Sequence, residues 1–147
     1  MPVTVARRAV LAGLALLTAA TTTSAGIFSR DVPADLDLAL ERRTEAGLYS
    51  AALAPVSPQV RIGAMHAWTV ALTDAKGRPV DEADISVDGG MPQHGHGLPT
   101  APAVTKRFVQ GRYLIEGMKF NMPGWWRIVL SITGPAGSDA VTFNIVL

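Results

Sequence analysis

The chain has 147 residues, 48% of them hydrophobic and 17% charged, which fits one folded domain and excludes a disordered polymer. It carries 13 basic and 12 acidic residues, too balanced for the basic face that nucleic-acid binding needs, so nucleic acid is set aside as a partner. Cys is absent, which excludes disulfides, thiolate chemistry and a lipidated cysteine anchor.

In chain order, Arg7-Arg8 is followed by the apolar run "AVLAGLALLTAA" and small residues ending in Thr23-Ser24-Ala25. That pattern predicts an export signal over residues 1–25, cleaved near Ala25, with twin-arginine and general export both compatible. The expected location is the periplasm, with no stable membrane span after cleavage. The alternative is an uncleaved segment anchoring the chain to the inner membrane, for which the run is short against the roughly 20 residues of a spanning helix. Without residues 1–25 the chain loses two arginines and no acid, leaving it close to neutral.

Residues 26–47 read as a lead-in compatible with one short helix, with Asp31 and Pro33 near its start and Gly47 near its stop. From residue 48 to residue 147 the hydrophobic period is two. "LYSAALAP" sets Tyr49, Ala51 and Leu53 on one side, "VRIG" follows as a short strand, and "HAWTVALT" aligns His66, Trp68, Val70 and Leu72. Asp74-Ala75-Lys76-Gly77 turns the chain, and "DISVDGG" places Ile85 and Val87 inward. "AVTKRFV" and "RYLIEGMKF" form a hairpin around Gln110-Gly111. "WWRIVLSIT" then aligns Trp126, Ile128, Leu130 and Ile132, and Val141, Phe143, Ile145 and Leu147 close the chain in the same phase. Such short strands, about seven in number and divided by Gly- and Pro-rich turns, predict an all-β, antiparallel β-sandwich.

The chemistry concentrates in three places. After the initiator the methionines are Met65, Met91, Met118 and Met122, and the histidines are His66, His94 and His96. All seven lie in "AMHAW", "GMPQHGHG" and "GMKFNMPGWW". Thioether sulfur is soft and suits Cu(I), whereas imidazole serves Cu(I) and Cu(II) alike. Zinc competes for the histidines but gains little from Met, and the three segments offer no carboxylate for iron or manganese. In an extended segment the His94 and His96 rings leave the same face, and Gly95 and Gly97 let the backbone approach an ion. The predicted ligands are His94 and His96, with Met91 and Met118 or Met122 as thioethers and His66 as an additional ligand. Each of these residues also has a structural reading: Met65 and Met118 as core filling, His66 as a histidine satisfied by a backbone carbonyl, "HGHG" as an exposed loop. Trp126 falls in phase with its strand as a core anchor; Trp125 faces the other way, as a cover for the ion, a cation–π partner or a surface residue.

The stretch from "VRIGAMHAWTVALTDAKGRPVDEADISVDGGMPQHGHGLPT" to "GRYLIEGMKFNMPGWWRIVLSI" resembles the YtkA-like and FixH-like exported bacterial domains, over roughly residues 45 to 147. The marks are the "D-x-x-G-x-P-V" turn, "M-P-x-H-G-H" at a strand end, and "M-P-G-x-W" opening a later strand. The resemblance implies an immunoglobulin-like sandwich in the periplasm, associated with copper handling or respiratory-oxidase maturation. It also brings in a membrane copper transporter or oxidase assembly factor as partner. The cleavable N-terminus departs from the membrane-bound FixH form.

The resulting expectation is a copper carrier or sequestering protein, not an enzyme: no Cys nucleophile or Ser-His-Asp arrangement is present, and Asp81, Glu82 and Asp84 read as a solvated turn. The rival is a non-metal module docking to a membrane assembly factor. A third reading makes Trp125, Phe120 and Met122 an apolar ligand pocket.

Overall fold

The computed structural model describes residues 32–147, so the predicted export signal over 1–25 and residues 26–31 of the predicted lead-in lie outside the described residues. Among the described residues there are nine strands and no helix: β1 (Glu41–Arg43), β2 (Tyr49–Pro55), β3 (Met65–Asp74), β4 (Asp84–Met91), β5 (His96–Gly97), β6 (Ala103–Phe108), β7 (Arg112–Lys119), β8 (Trp125–Gly134) and β9 (Gly137–Val146). No helix among them is long and apolar enough to cross a membrane.

Every pairing is antiparallel, in the order β1-β2-β3-β7-β6-β4-β8-β9 with β5 added to β4. The link between β6 and β4 is a single pair, Ser86 with Ala103, so the order folds into two layers that meet at this corner. The layers are β1-β2-β3-β7-β6 and β5-β4-β8-β9. At the far side β1 and β9 are cross-linked: Arg42 Nη1 donates to Thr142 O at 2.8 Å and Glu45 N to Ala140 O at 2.8 Å. The result is a nearly closed, immunoglobulin-like all-β sandwich.

The alternation read from the sequence is the alternation of burial. Tyr49, Ala51 and Leu53, then Trp68, Val70 and Leu72, then Trp126, Ile128, Leu130 and Ile132, and finally Val141, Phe143 and Ile145 all face the core. The hairpin at Gln110-Gly111 forms as expected, with both residues at positive φ (65° and 68°). Gly111 is required there, since a Cβ would lie 2.2 Å from Leu72 O. In the Asp74 turn, the carboxylate Oδ1 accepts from Lys76 N at 2.8 Å and Arg78 N at 2.9 Å while Oδ2 pairs with Arg78.

Two local expectations are corrected. Residues 32–47 hold no helix; Glu41–Arg43 pair with Ser50–Ala52 as β1, because the neighbouring edge of β2 offers a ladder that a thin Leu36 and Leu40 stripe cannot outweigh. "VRIG" is not a strand. Its Gly63 sits at φ 82° and donates to Phe120 O at 2.7 Å, which makes the segment a loop clipped to the core.

Candidate metal centre

The strand ends gather "AMHAW", "GMPQHGHG" and "GMKFNMPGWW" at one end of the sandwich: the start of β3, the β4–β5 turn and the β7–β8 turn. The β4–β5 turn is built by backbone proximity. A Cβ on Gly89 would lie 2.3 Å from Arg127 O, and one on Gly90 would lie 2.3 Å from His96 O, so only glycine permits this spacing. Pro92 to Gly95 reverse the chain, with Met91 O accepting from His94 N at 3.1 Å and Gly95 N at 3.0 Å, and Gly95 at φ 67°.

That reversal changes how the histidines meet. The segment is not extended: His94 is in the turn, whereas His96 is in β5. Their rings nevertheless approach to 5.8 Å between centroids with planes 30° apart. A metal–nitrogen bond of about 2 Å puts an imidazole centroid about 3 Å from the ion, so two rings can share one ion when their centroids lie within roughly 6 Å. The observed spacing meets that limit. His96 Nδ1 is 3.1 Å from Gly97 O, and a proton donated there leaves Nε2 with its lone pair outward.

Among the described residues no group of three or more His, Asp or Glu side chains could hold a metal ion. A third side-chain ligand beside these two imidazoles would have to be another kind of donor. Met91 is the cross-strand partner of His96, so the two side chains leave the same face as direct neighbours. Met91 is 1% exposed, with its methyl group under the β7–β8 turn: a Cβ on Gly124 (φ 126°) would lie 2.9 Å from Met91 Cε. Leu147 holds that turn in place, its O accepting from Gly124 N at 2.8 Å and its N donating to Gly124 O at 3.1 Å.

The aromatic beside the histidines is Trp126. Its ring stands edge-on to His96 at 6.0 Å and to Phe120 at 5.3 Å, and its Nε1 donates to Met122 O at 3.1 Å. Trp125 faces the other side of β8, where its Nε1 donates to Asn144 Oδ1 at 3.0 Å. Phe120 is fully buried and Trp125 points away from it, so these two do not frame a shared ligand pocket with Met122. The cleft at this end, about 440 Å³, is instead lined by Gly90, Met91, His96 and Arg127 among others. A larger one, about 580 Å³, lies at the opposite end beside Tyr49, Arg78, Glu82 and Pro135.

The other candidate ligands sit deeper or further along. Met118 is fully buried opposite His66, and Met122 packs half-buried against the core. His66 Nε2 is 2.8 Å from Arg61 O and 3.2 Å from Arg61 N, and its ring meets Phe120 at 6.4 Å rather than either of the other imidazoles. The backbone of the β2–β3 loop thus satisfies that nitrogen. Met65 points outward, 61% exposed. Of the acids, Asp81 is not merely solvated: its Oδ1 accepts from Gly111 N, and Asp84 pairs with Arg107. Gly124 and Trp126 flank Met91 and His96 without being among the predicted ligands, and both belong to the "MPGWW" motif.

Comparison with known proteins supports the fold and the family. No curated protein matches the chain. A crystal structure of a DUF4426 family protein from Pseudomonas aeruginosa superposes with a TM-score of 0.53, covering 74% of this chain and 94% of that one; at 15% identity the likeness is one of fold. The YtkA-like family model matches residues 43–131, more than half of the chain and all of the three His- and Met-bearing segments. The chain therefore belongs to the YtkA-like family.

Proposed function

We propose that this chain is an exported, periplasmic copper-binding protein that carries or sequesters the ion at His94, His96 and Met91. The observation that carries the reading is the pair of imidazoles 5.8 Å apart with a thioether as the cross-strand neighbour of one of them. Two borderline ligands and one soft ligand suit copper in either oxidation state better than zinc or a hard cation. A ligand set this small leaves positions open on the ion, which suits a carrier that must release its cargo rather than a closed structural site. His66, Met118 and Met122 lie at the same end of the sandwich, but the Arg61 backbone already engages His66 Nε2 and Met118 is fully buried, so the reading rests on the other three residues. The Arg7-Arg8 pattern and the absence of Cys support export into an oxidising compartment, where a thiolate site would be lost to disulfides. An assembly factor or membrane transporter is the natural recipient of such a cargo.

The test is titration of the purified protein with Cu(I) under reducing conditions and with Cu(II) in air, alongside His94→Ala/His96→Ala. Wild type binds near one equivalent, and the double variant loses at least about tenfold in affinity. Met91→Leu weakens Cu(I) more than Cu(II), because only the soft ion depends on sulfur. Equal copper binding by wild type and the double variant removes the site.

A further inference from the structure

A two-layer sandwich has four edges, and each exposes unpaired backbone groups unless something covers it. Two of them, β1 and β9, are tied to one another by Arg42, Glu45 and the Asn144 Nδ2 bond to Asp37 O at 2.9 Å. The β4 edge carries β5 at Gly90–Gly97 and Met91–His96. The fourth, β6, is left open. It pairs with β7 on both sides of a bulge at Thr105 but meets β4 only at Ala103, and among the described residues no backbone bond outside the β7 ladder engages residues 104–108. Thr105, Lys106, Arg107 and Phe108 are all exposed. A cleft of about 270 Å³, lined by Asp84, Ile85, Ser86, Val104 and Arg107, separates this edge from β4, and the Arg107–Asp84 ion pair crosses it.

An open strand edge is a template for one more strand, and its side chains decide which strand is accepted. Lys106 and Arg107 are adjacent, and exposed Arg112 lies across from Phe108. A second copy of β6 laid antiparallel on the first would set Lys106 and Arg107 against themselves, and like charges directly opposed are destabilising. A strand bearing carboxylates reverses that sign. We propose that the β6 edge binds an extended acidic segment of a partner protein by strand addition. The backbone supplies the ladder, Lys106 and Arg112 select the charge, and the exposed Phe108 and Val109 supply apolar contact at the hairpin tip. This edge runs toward the end of the sandwich opposite the histidines, so the partner would hold the protein while leaving the His94 turn accessible. The proposal does not depend on copper.

The experiment is amide hydrogen exchange by NMR on the full chain, with a capped heptapeptide alternating Glu with Val and Thr, and a matched peptide carrying Lys for Glu. Exchange at residues 104–108 slows at least about fivefold with the acidic peptide and not with the basic one. Lys106→Glu, an exposed change with no ion-pair partner among the described residues to lose, keeps the thermal midpoint and transfers the preference to the basic peptide. Three results overturn the proposal: no slowing with either peptide, equal slowing with both, or slowing without peptide that rises with protein concentration.

Discussion

Gly90→Ala is the sharpest structural test of the histidine turn. The new Cβ would lie 2.3 Å from His96 O and 2.8 Å from Gly97 Cα, and both obstacles are backbone, so no side chain can swing aside. Carbon contacts are comfortable at about 3.5–4.0 Å, so β5 must retreat from β4 by about 1 Å. That opens the Gly90–Gly97 and Met91–His96 pairs and shifts His96 away from Met91 and Trp126. Overpacking of this kind costs about 1–3 kcal/mol, and because β5 has only two residues the rest of the sandwich still folds. Two neighbouring glycines serve as controls of different kind. Gly95→Ala meets nothing within 4 Å but must hold φ 67°, a cost of about 1 kcal/mol. Gly97→Ala meets only Gly89 O at 3.5 Å, an ordinary contact, and stays within about 0.5 kcal/mol of wild type. Urea midpoints should therefore fall in the order Gly90, Gly95, Gly97, and copper affinity should fall most for Gly90→Ala. A Gly90→Ala protein with wild-type midpoint and affinity, or a Gly97→Ala protein as damaged as it, refutes this account of the turn.

Two further outcomes follow from polar groups that tie the sandwich together. Burial alone would raise the Asp139 carboxyl, but the Thr44 hydroxyl and the amides of Ala46, Ala140 and Leu48 outweigh it and hold the group at about 2, against an ordinary 3.8. A carboxyl depressed on folding adds stability above its unfolded value, lost as pH falls through the folded one; urea midpoints of wild type should drop between about pH 4 and pH 2 more steeply than those of Asp139→Asn. Buried Tyr113 donates its hydroxyl to Val80 O at 2.6 Å and accepts from Ala83 N at 3.1 Å, so Tyr113→Phe leaves both groups unsatisfied and costs about 1–3 kcal/mol by denaturant unfolding.

The inward rows were legible because a half-buried strand has to alternate: Tyr49 to Leu53 and Trp126 to Ile132 could face the core in no other way. Strands made by their neighbours left no such mark. Glu41-Arg42-Arg43 is wholly charged and falls in a lead-in that reads as compatible with a short helix, yet becomes β1 because Ser50, Ala51 and Ala52 present an open edge. His96-Gly97 is too short for any period, and its pairing follows from two glycines on the partner strand. The grouping of His94 and His96 was readable from their spacing, but the route was not: an extended pair and a turn give the same three letters, and only the Met91 O hydrogen bonds distinguish them.

Met118 shows how one residue can invert a reading. Strict alternation through Tyr113 and Ile115 would put Gly117 inward and Met118 outward beside Leu114 and Glu116. Instead the pairing steps from Trp68–Ile115 to His66–Met118, so Glu116 and Gly117 together oppose Ala67, and Gly117 takes φ 87° to absorb the extra residue. The bulge turns Met118 fully into the core and leaves Lys119 to face outward with Met65. A side chain larger than hydrogen at residue 117 would meet only ordinary contacts, so it is the left-handed backbone, not space, that reserves the position for glycine. The thioether faces the same interior as Phe120 and Trp126 because of that backbone choice, so the core-filling reading of Met118 holds although the phase of Tyr113 and Ile115 alone would place it outward.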